Sequence, residues 1–199
     1  MTESSLPSEA QLVSPSSLVD VLLEDEDIED VGALRVEQLP EWLDQLPILR
    51  GWQQVDLSDR PTVPLARMVV HGPRVDGGWV AAETVSVFGY TGWPIFGEVL
   101  RHSGDTLRSL GAVDINTKVL SAPQVRWVAA LRSSGTARIG TRQVWVQQSN
   151  YVAGSEGRHA GRLIVQSIFV DDSHHAELLP EITQMSDNVY HGFIAAISG

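Results

Sequence analysis

Residues 162–170 carry apolar side chains on both faces of an extended chain, with Leu163, Val165 and Phe169 on one and Ile164, Ile168 and Val170 on the other. Successive side chains of a strand point to opposite sides, so a strand of this pattern is covered above and below and belongs at the centre of a sheet. Helices must then lie on both sheet faces. The C-terminal stretch supplies one, because Leu178, Leu179, Ile182, Met185, Val189 and Phe193 recur at helical spacing. Pro180 lacks an N–H and predicts that the regular helix starts near Leu179. A second helix is predicted from Pro94, suited to a first turn, through Phe96, Leu100, Leu107 and Leu110 to Gly111 as the C-terminal cap.

The remaining segments read as strands and turns. Stretches 52–57, 65–71 and 78–90 are extended and separated by Pro, Gly and Asp clusters, which suggests an antiparallel meander. A short helix precedes them, with Pro40 at its first position, Leu39, Trp42, Leu43 and Leu46 on one face and Pro47 at its end. Val113, Ile115, Thr117 and Val119 alternate with Asp114, Asn116 and Lys118, and Val125, Trp127, Ala129 and Leu131 alternate with Arg126, Val128, Ala130 and Arg132, giving two strands with one buried face each. Gly140 suits a hairpin turn leading into 143–152. The expected fold is α+β, an antiparallel sheet of about six to seven strands flanked by helices.

Composition narrows the setting. The 199 residues, 43% hydrophobic, suffice for one core. No apolar run approaches the roughly 20 residues of a spanning helix, and residues 1–11 lack the basic start and apolar stretch of a signal peptide. Cysteine is absent, which removes disulfides, thiolate metal ligands, a thiol nucleophile and lipid attachment; a cytoplasmic location is expected. The net charge of −11 is unevenly spread. Residues 1–50 hold twelve acids against Arg35 and Arg50, a balance of −10, whereas 51–199 hold thirteen acids against twelve bases, a balance of −1. With no surplus of cations, neither nucleic acid nor an anionic membrane is an expected partner.

The acidic surplus divides the chain into an expected disordered tail (1–16), rich in Ser, Pro, Glu and Thr, an acidic amphipathic leader (17–36) and a single folded domain (37–199). Ser17 offers an N-cap with Asp20 three residues on, and Leu18, Val21 and Leu22 share a helical face. Residues 24–30 then place six acids in seven positions, and like charges a turn apart each cost a helix about 0.2 to 0.5 kcal/mol, so the helix is expected to fray there. The leader is read either as an interaction segment, in which charge speeds encounter and apolar side chains give hold, or as a solvated helix folded back on the domain.

The Gly51-Trp52 strand opening, the hairpin residues Ser134, Gly135, Thr136, Ala137, Arg138, Ile139 and Gly140, and the strand Val144-Trp145-Val146-Gln147-Gln148 resemble the actinobacterial LpqN/LpqT lipoprotein family. The order of helices and strands is similar to the PsbP-like fold, an antiparallel sheet sandwiched between helices. The resemblance spans about residues 40 to 197 and implies a non-enzymatic protein with no catalytic residues to carry over. The chain departs from that family in lacking a lipobox cysteine and a signal peptide and in adding the acidic leader. Thirteen arginines against one lysine fit an actinobacterial source.

No catalytic constellation emerges. Asp171, Asp172, His174 and His175, with His191 on the last helix, are the best candidates for a metal site, but adjacent histidines on an extended segment diverge; the simpler reading is a polar loop whose Ser173 or a neighbouring acid caps the helix. No Gly-x-Ser-x-Gly elbow, phosphate loop or dinucleotide fingerprint is present, and His71, His102 and His159 stand alone. No cofactor is expected. Of the six tryptophans most should be core; Trp93, between Gly92 and Pro94, is read as an exposed binding anchor or as core. Gln143, Gln147 and Ser149 share one strand face, lining either a ligand pocket or solvent.

The expectation is a non-catalytic protein-binding module, such as an adaptor, secretion chaperone or immunity-type protein, whose Leu18, Val21, Leu22, Glu24, Asp25, Glu26, Asp27 and Trp93 meet a protein partner with a basic surface. A homo-oligomer is compatible with it. The alternative is a small-molecule or lipid-binding domain with its pocket between the sheet and the helix near Phe96.

Overall fold

The computed structural model describes residues 17–57, 64–74, 78–123 and 127–198, so the expected tail at 1–16 and the position of Val125 lie outside the described residues. Strand β4 (Ala81–Gly92) is long enough to hold two neighbours on its outer side, β3 (Arg67–His71) along its first half and β1 (Ile28–Ala33) along its second. Beyond β3 lies β2 (Trp52–Gln54). On the inner side of β4 the order is β8 (Gly161–Asp171), β7 (Arg142–Ala153), β6 (Val128–Ile139) and β5 (Val113–Val119), every pairing antiparallel. Helix α5 (His175–Ser198) and the short α2 (Glu41–Asp44) cover one face; α1 (Leu18–Glu24), α3 (Phe96–His102) and α4 (Asp105–Ser109) cover the other.

The doubly apolar strand sits where its pattern requires, between β4 and β7. Ile164 packs with Val189 and Phe193 of α5, and Ile168 and Val170 with Leu178, Ile182 and Met185. On the opposite face Leu163 joins Leu18, Leu22, Tyr90 and Val99. The hairpin at Gly140 (φ +61) joins β6 to β7 as expected.

Four expectations are corrected. Helix α5 begins at His175 and contains Pro180, because the Asp171 side chain accepts from Ser173 N and a 3-10 turn at Asp172–His174 feeds the helix; Pro180 is exposed, and only the Ala176 carbonyl forgoes its partner. The helix expected from Pro94 to Leu110 is two helices: Ser103 turns its hydroxyl onto the Leu100 carbonyl at 2.9 Å, and Gly104 restarts the chain as the N-cap of α4. Gly111 (φ +68) does close that segment, donating to the Arg108 carbonyl. Strand β5 is a sheet edge with Val113 and Val119 exposed, and Trp127 precedes β6 in a left-handed conformation (φ 68) instead of contributing to its buried face.

The largest correction concerns the leader. Residues 17–36 do not fray through the acidic run: β1, which starts at Ile28 inside it, adds an eighth strand to the sheet. Ser17 and Asp20 form the expected capping box, with Ser17 N donating to Asp20 Oδ2 at 2.7 Å. After α1 the turn closes with Ile28 N on the Asp25 carbonyl, and Ile28 pairs with Gly92. Gly92 (φ +122) permits this approach: a Cβ there would stand 2.2 Å from the Asp27 carbonyl oxygen. The register shifts between Glu29 and Gly32, with Asp30 at φ 57, so the exposed acids of β1 continue in solvent while Ile28 is buried. Sequence periodicity alone favoured a frayed helix there because like charges oppose helix but leave an edge strand unharmed, provided its carboxylates point outward.

This integration has a measurable consequence. Leu22 is 2% exposed and Leu23 60%. Leu22→Ala is expected to lower the unfolding free energy by about 2 to 5 kcal/mol in urea titrations, and Leu23→Ala by less than about 0.5 kcal/mol; equal effects would show that α1 does not belong to the core.

Candidate functional site

Two regions gather the side chains with functional potential, one on each face of the sheet. The first is the corner where α1 turns into β1. Glu24, Glu26, Asp27, Glu29 and Asp30 are exposed and Asp25 is half-buried. A groove of about 260 Å³ runs between α1 and α3, with Asp20, Glu24, Asp25 and Glu98 as its carboxylates and Val21 and Ile95 as its apolar walls. On α3, Glu98 holds Arg101 at 2.5 Å, and His102 Nδ1 lies 2.5 Å from Asp105 Oδ2. Ile95 (53% exposed) is part of that groove, and Phe96, Leu100 and Trp127 (42%) also project apolar surface.

Of the residues singled out for partner contact, Glu24, Asp25, Glu26 and Asp27 cluster at this corner, and Val21 lines its groove. Leu18 and Leu22 are buried in the core and cannot meet a partner. Trp93 is half-buried, pressed so close to Gly154 that a Cβ there would stand 2.5 Å from its ring. Its ring centroid lies 5.8 Å from that of Trp127, which is the more exposed of the pair. Alternation from Val125 to Leu131 predicts a buried Trp127 and cannot reveal that the strand starts at Val128.

The second region is a row of polar side chains beneath α5. Arg67 donates to the Leu46 and Pro47 carbonyls, each at 3.0 Å, and its Nε lies 3.4 Å from Glu83 Oε2. Gln166 Nε2 donates to Glu83 Oε1 at 2.6 Å and reaches the Met185 carbonyl at 3.3 Å. Across the next strand Ser149 accepts from Arg132 Nε at 3.3 Å, and Arg132 Nη2 stands 3.6 Å from Asp187 of α5. Gln147 Nε2 donates to Ser186 Oγ at 2.6 Å, and the Tyr151 hydroxyl donates to the Ser186 carbonyl at 3.3 Å. The expected polar row therefore divides: Ser149 and Gln147 are buried against Arg132 and α5, while Gln143 is exposed near the hairpin. Burial pushes the Glu83 carboxyl above its ordinary value, against the pull of Gln166 and Arg67, and raises the Tyr151 phenol likewise.

At the open end of this row, between β5–β7 and the first turns of α5, is a cavity of about 280 Å³. It stops short of the roughly 300 Å³ at which drug-sized ligand sites begin. The pocket beside Phe96, floored by Val99, Ala129 and Val152, is only about 150 Å³, too small for a lipid chain. The metal candidates do not converge. Asp171 caps the turn before α5 and its carboxyl is held low, chiefly by the Ser173 hydroxyl; His175 stacks on Trp145 at 4.2 Å; and His191, sixteen residues along α5 from His175, is about 24 Å away at the rise of an α-helix. Among the described residues no group of His, Asp or Glu is arranged to hold a metal ion.

The architecture defines an antiparallel sheet between two helical layers, and a solved structure shares it. The crystal structure of LpqN, involved in cell envelope biogenesis of Mycobacterium tuberculosis, matches with a TM-score of 0.63 over 87% of this chain and 96% of that one, at 13% identity. The likeness is one of fold. No sequence-family profile and no curated protein matches the chain.

The direction of the Glu83 shift sets a pH dependence. Below about pH 4.5 the carboxyl is protonated whether the chain is folded or not. As pH rises, the unfolded chain releases the proton first, so Glu83's contribution to stability declines until the folded-state carboxyl ionises. Unfolding free energies measured from pH 4 to 8 should therefore shift progressively in favour of Glu83→Gln relative to the unmodified protein; a difference independent of pH would contradict the assigned direction.

Proposed function

We propose that this protein is a non-catalytic binding module that docks a basic, partly apolar protein partner on the corner formed by α1, β1 and α3. The observation that carries this reading is the placement of the charge. Nearly all of the excess acid is confined to the first fifty residues, and the fold sets Glu24 and Asp25 in one groove with exposed Ile95, at the start of the helix that carries exposed Phe96 and Leu100. Acids on a rigid corner steer a cationic partner and speed encounter, while the adjacent aromatic and aliphatic side chains supply contact area that is buried only in the complex.

The absence of a catalytic constellation from the sequence motifs supports a non-enzymatic role, and so does the fold shared with LpqN, whose involvement is in cell envelope biogenesis. On this reading the chain is a distant LpqN/LpqT-like, PsbP-like protein, acting as an adaptor, secretion chaperone or immunity-type protein in the cytoplasm, where a chain without cysteine needs no oxidising environment.

Deleting residues 1–36 would remove β1 and part of the core, so charge neutralisation is the informative test. A peptide with lysine and leucine at amphipathic helical spacing should bind the intact protein with an affinity that falls steeply as salt rises to about 0.5 M. The triple substitution Glu24→Gln, Glu26→Gln and Asp27→Asn should weaken it by about tenfold or more without changing the melting temperature. Binding that ignores both salt and the substitutions would refute the reading.

A further inference from the structure

We infer that the cavity between β5–β7 and the start of α5 is a binding site for a small organic anion with an apolar body, a site separate from the acidic corner on the other face. Its chemistry runs against that of the rest of the molecule. The protein carries a net charge of −11, yet the residues lining this cavity include Lys118, Arg132 and His175 and no Asp or Glu. Lys118 is the only lysine in the sequence and makes no ion pair among the described residues. Arg132 is held in place from behind, by Ser149 through Nε and by Asp187 through Nη2, and a guanidinium has five N–H donors, so donors remain for a ligand.

The walls divide by character. Leu120, Leu179 and Ile182 form an apolar side; Gln147 is fixed by its bond to Ser186; and His175 lies flat on Trp145, its rings 19° from parallel. His175 Nε2 is shut off from solvent without a hydrogen-bond partner, so the ring meets the cavity as an aromatic wall and its nitrogen offers a ligand no bond. Burial also holds the imidazole below its ordinary value, with Asp172 opposing, so at neutral pH the ring is an uncharged wall and the anion's counter-charges are Lys118 and Arg132. At about 280 Å³ the space holds roughly nine waters' worth of liquid volume, which suits a single ring or short branched chain bearing one carboxylate, sulfonate or phosphate group and excludes nucleotides and lipid chains.

The test titrates three probes into the full-length protein, followed by amide and tryptophan indole NMR shifts: 3-phenylpropionate, its neutral counterpart 3-phenylpropanol, and inorganic phosphate. The carboxylate is expected to bind with a dissociation constant on the order of a millimolar, shifting the signals of Lys118, Arg132 and Trp145, and the alcohol and phosphate about tenfold more weakly or not at all. Lys118→Gln, an exposed change that leaves the fold intact, should weaken the carboxylate by about fivefold or more, and Arg132→Gln should do the same if its Ser149 anchor survives. The inference is overturned by alcohol binding equal to that of the acid, by phosphate binding equal to it, by no binding of any probe, or by shifts that Lys118→Gln leaves unchanged. None of these results bears on the acidic corner, whose own test uses a basic peptide.

Discussion

Burial of β8 on both faces is the constraint from which the other elements take their places. Its backbone is paired along its length to β4 on one side and β7 on the other, so its side chains alone choose what lies above and below. Leu163 calls for the apolar faces of α1 and α3, and Ile164, Ile168 and Val170 call for α5. A strand with one polar face would have left one layer of helices without a seat. The order of the outer strands follows from hairpin connections spreading outward from this centre.

The two faces of the sheet are held differently. The face toward α1, α3 and α4 is joined mainly by apolar contact, with Ser133 and Asn150 turned to the Ser103 carbonyl where α3 breaks. The face toward α5 carries Arg67, Glu83, Gln166, Gln147, Ser149 and Arg132, most of them bonded to the backbone or side chains of α5 or of the 46–47 turn. Directional bonds of this kind contribute little net energy in comparison with apolar burial, yet each left unmade is costly. Together they specify which turn of a long helix sits over which strand, a choice that interchangeable leucines and isoleucines would leave loose. Arg67 binds the carbonyls at the end of the α2 segment as well as Glu83, coupling that connection to the sheet.

The acidic run illustrates how a charge pattern acquires meaning from its neighbours. Six acids in seven residues are a poor helix and a poor core, but the fold spreads them over the end of α1, a turn and the start of edge strand β1, where Ile28 is buried, Gly92 allows the close backbone approach and Arg158 stands 3.4 Å from Asp30. The same placement sets the carboxylates beside the exposed end of α3, so stability and recognition draw on one segment. Opposite in sign and on the other face, Lys118 and Arg132 gather where β5 and β6 run under α5.

The sequence by itself determined the central strand, the amphipathic last helix, the Gly140 hairpin, the Ser17 cap and the concentration of acid in the first fifty residues, since each is written in local periodicity or in residue types with one strong preference. It also placed Glu24, Asp25, Glu26 and Asp27 in one cluster, because they are adjacent in the chain. Tertiary structure alone decided that the acidic run would end in β1, that Leu18 and Leu22 would be core, that Trp127 and not Trp93 would be the more exposed ring, and that Gln147 and Ser149 would turn inward to Ser186 and Arg132. Each of those outcomes depends on a partner distant in sequence: Gly92 for Ile28, Gly154 for Trp93, α5 for Gln147. Local pattern encodes which face of an element is apolar, whereas burial of a particular side chain is set by what the rest of the chain brings against that face.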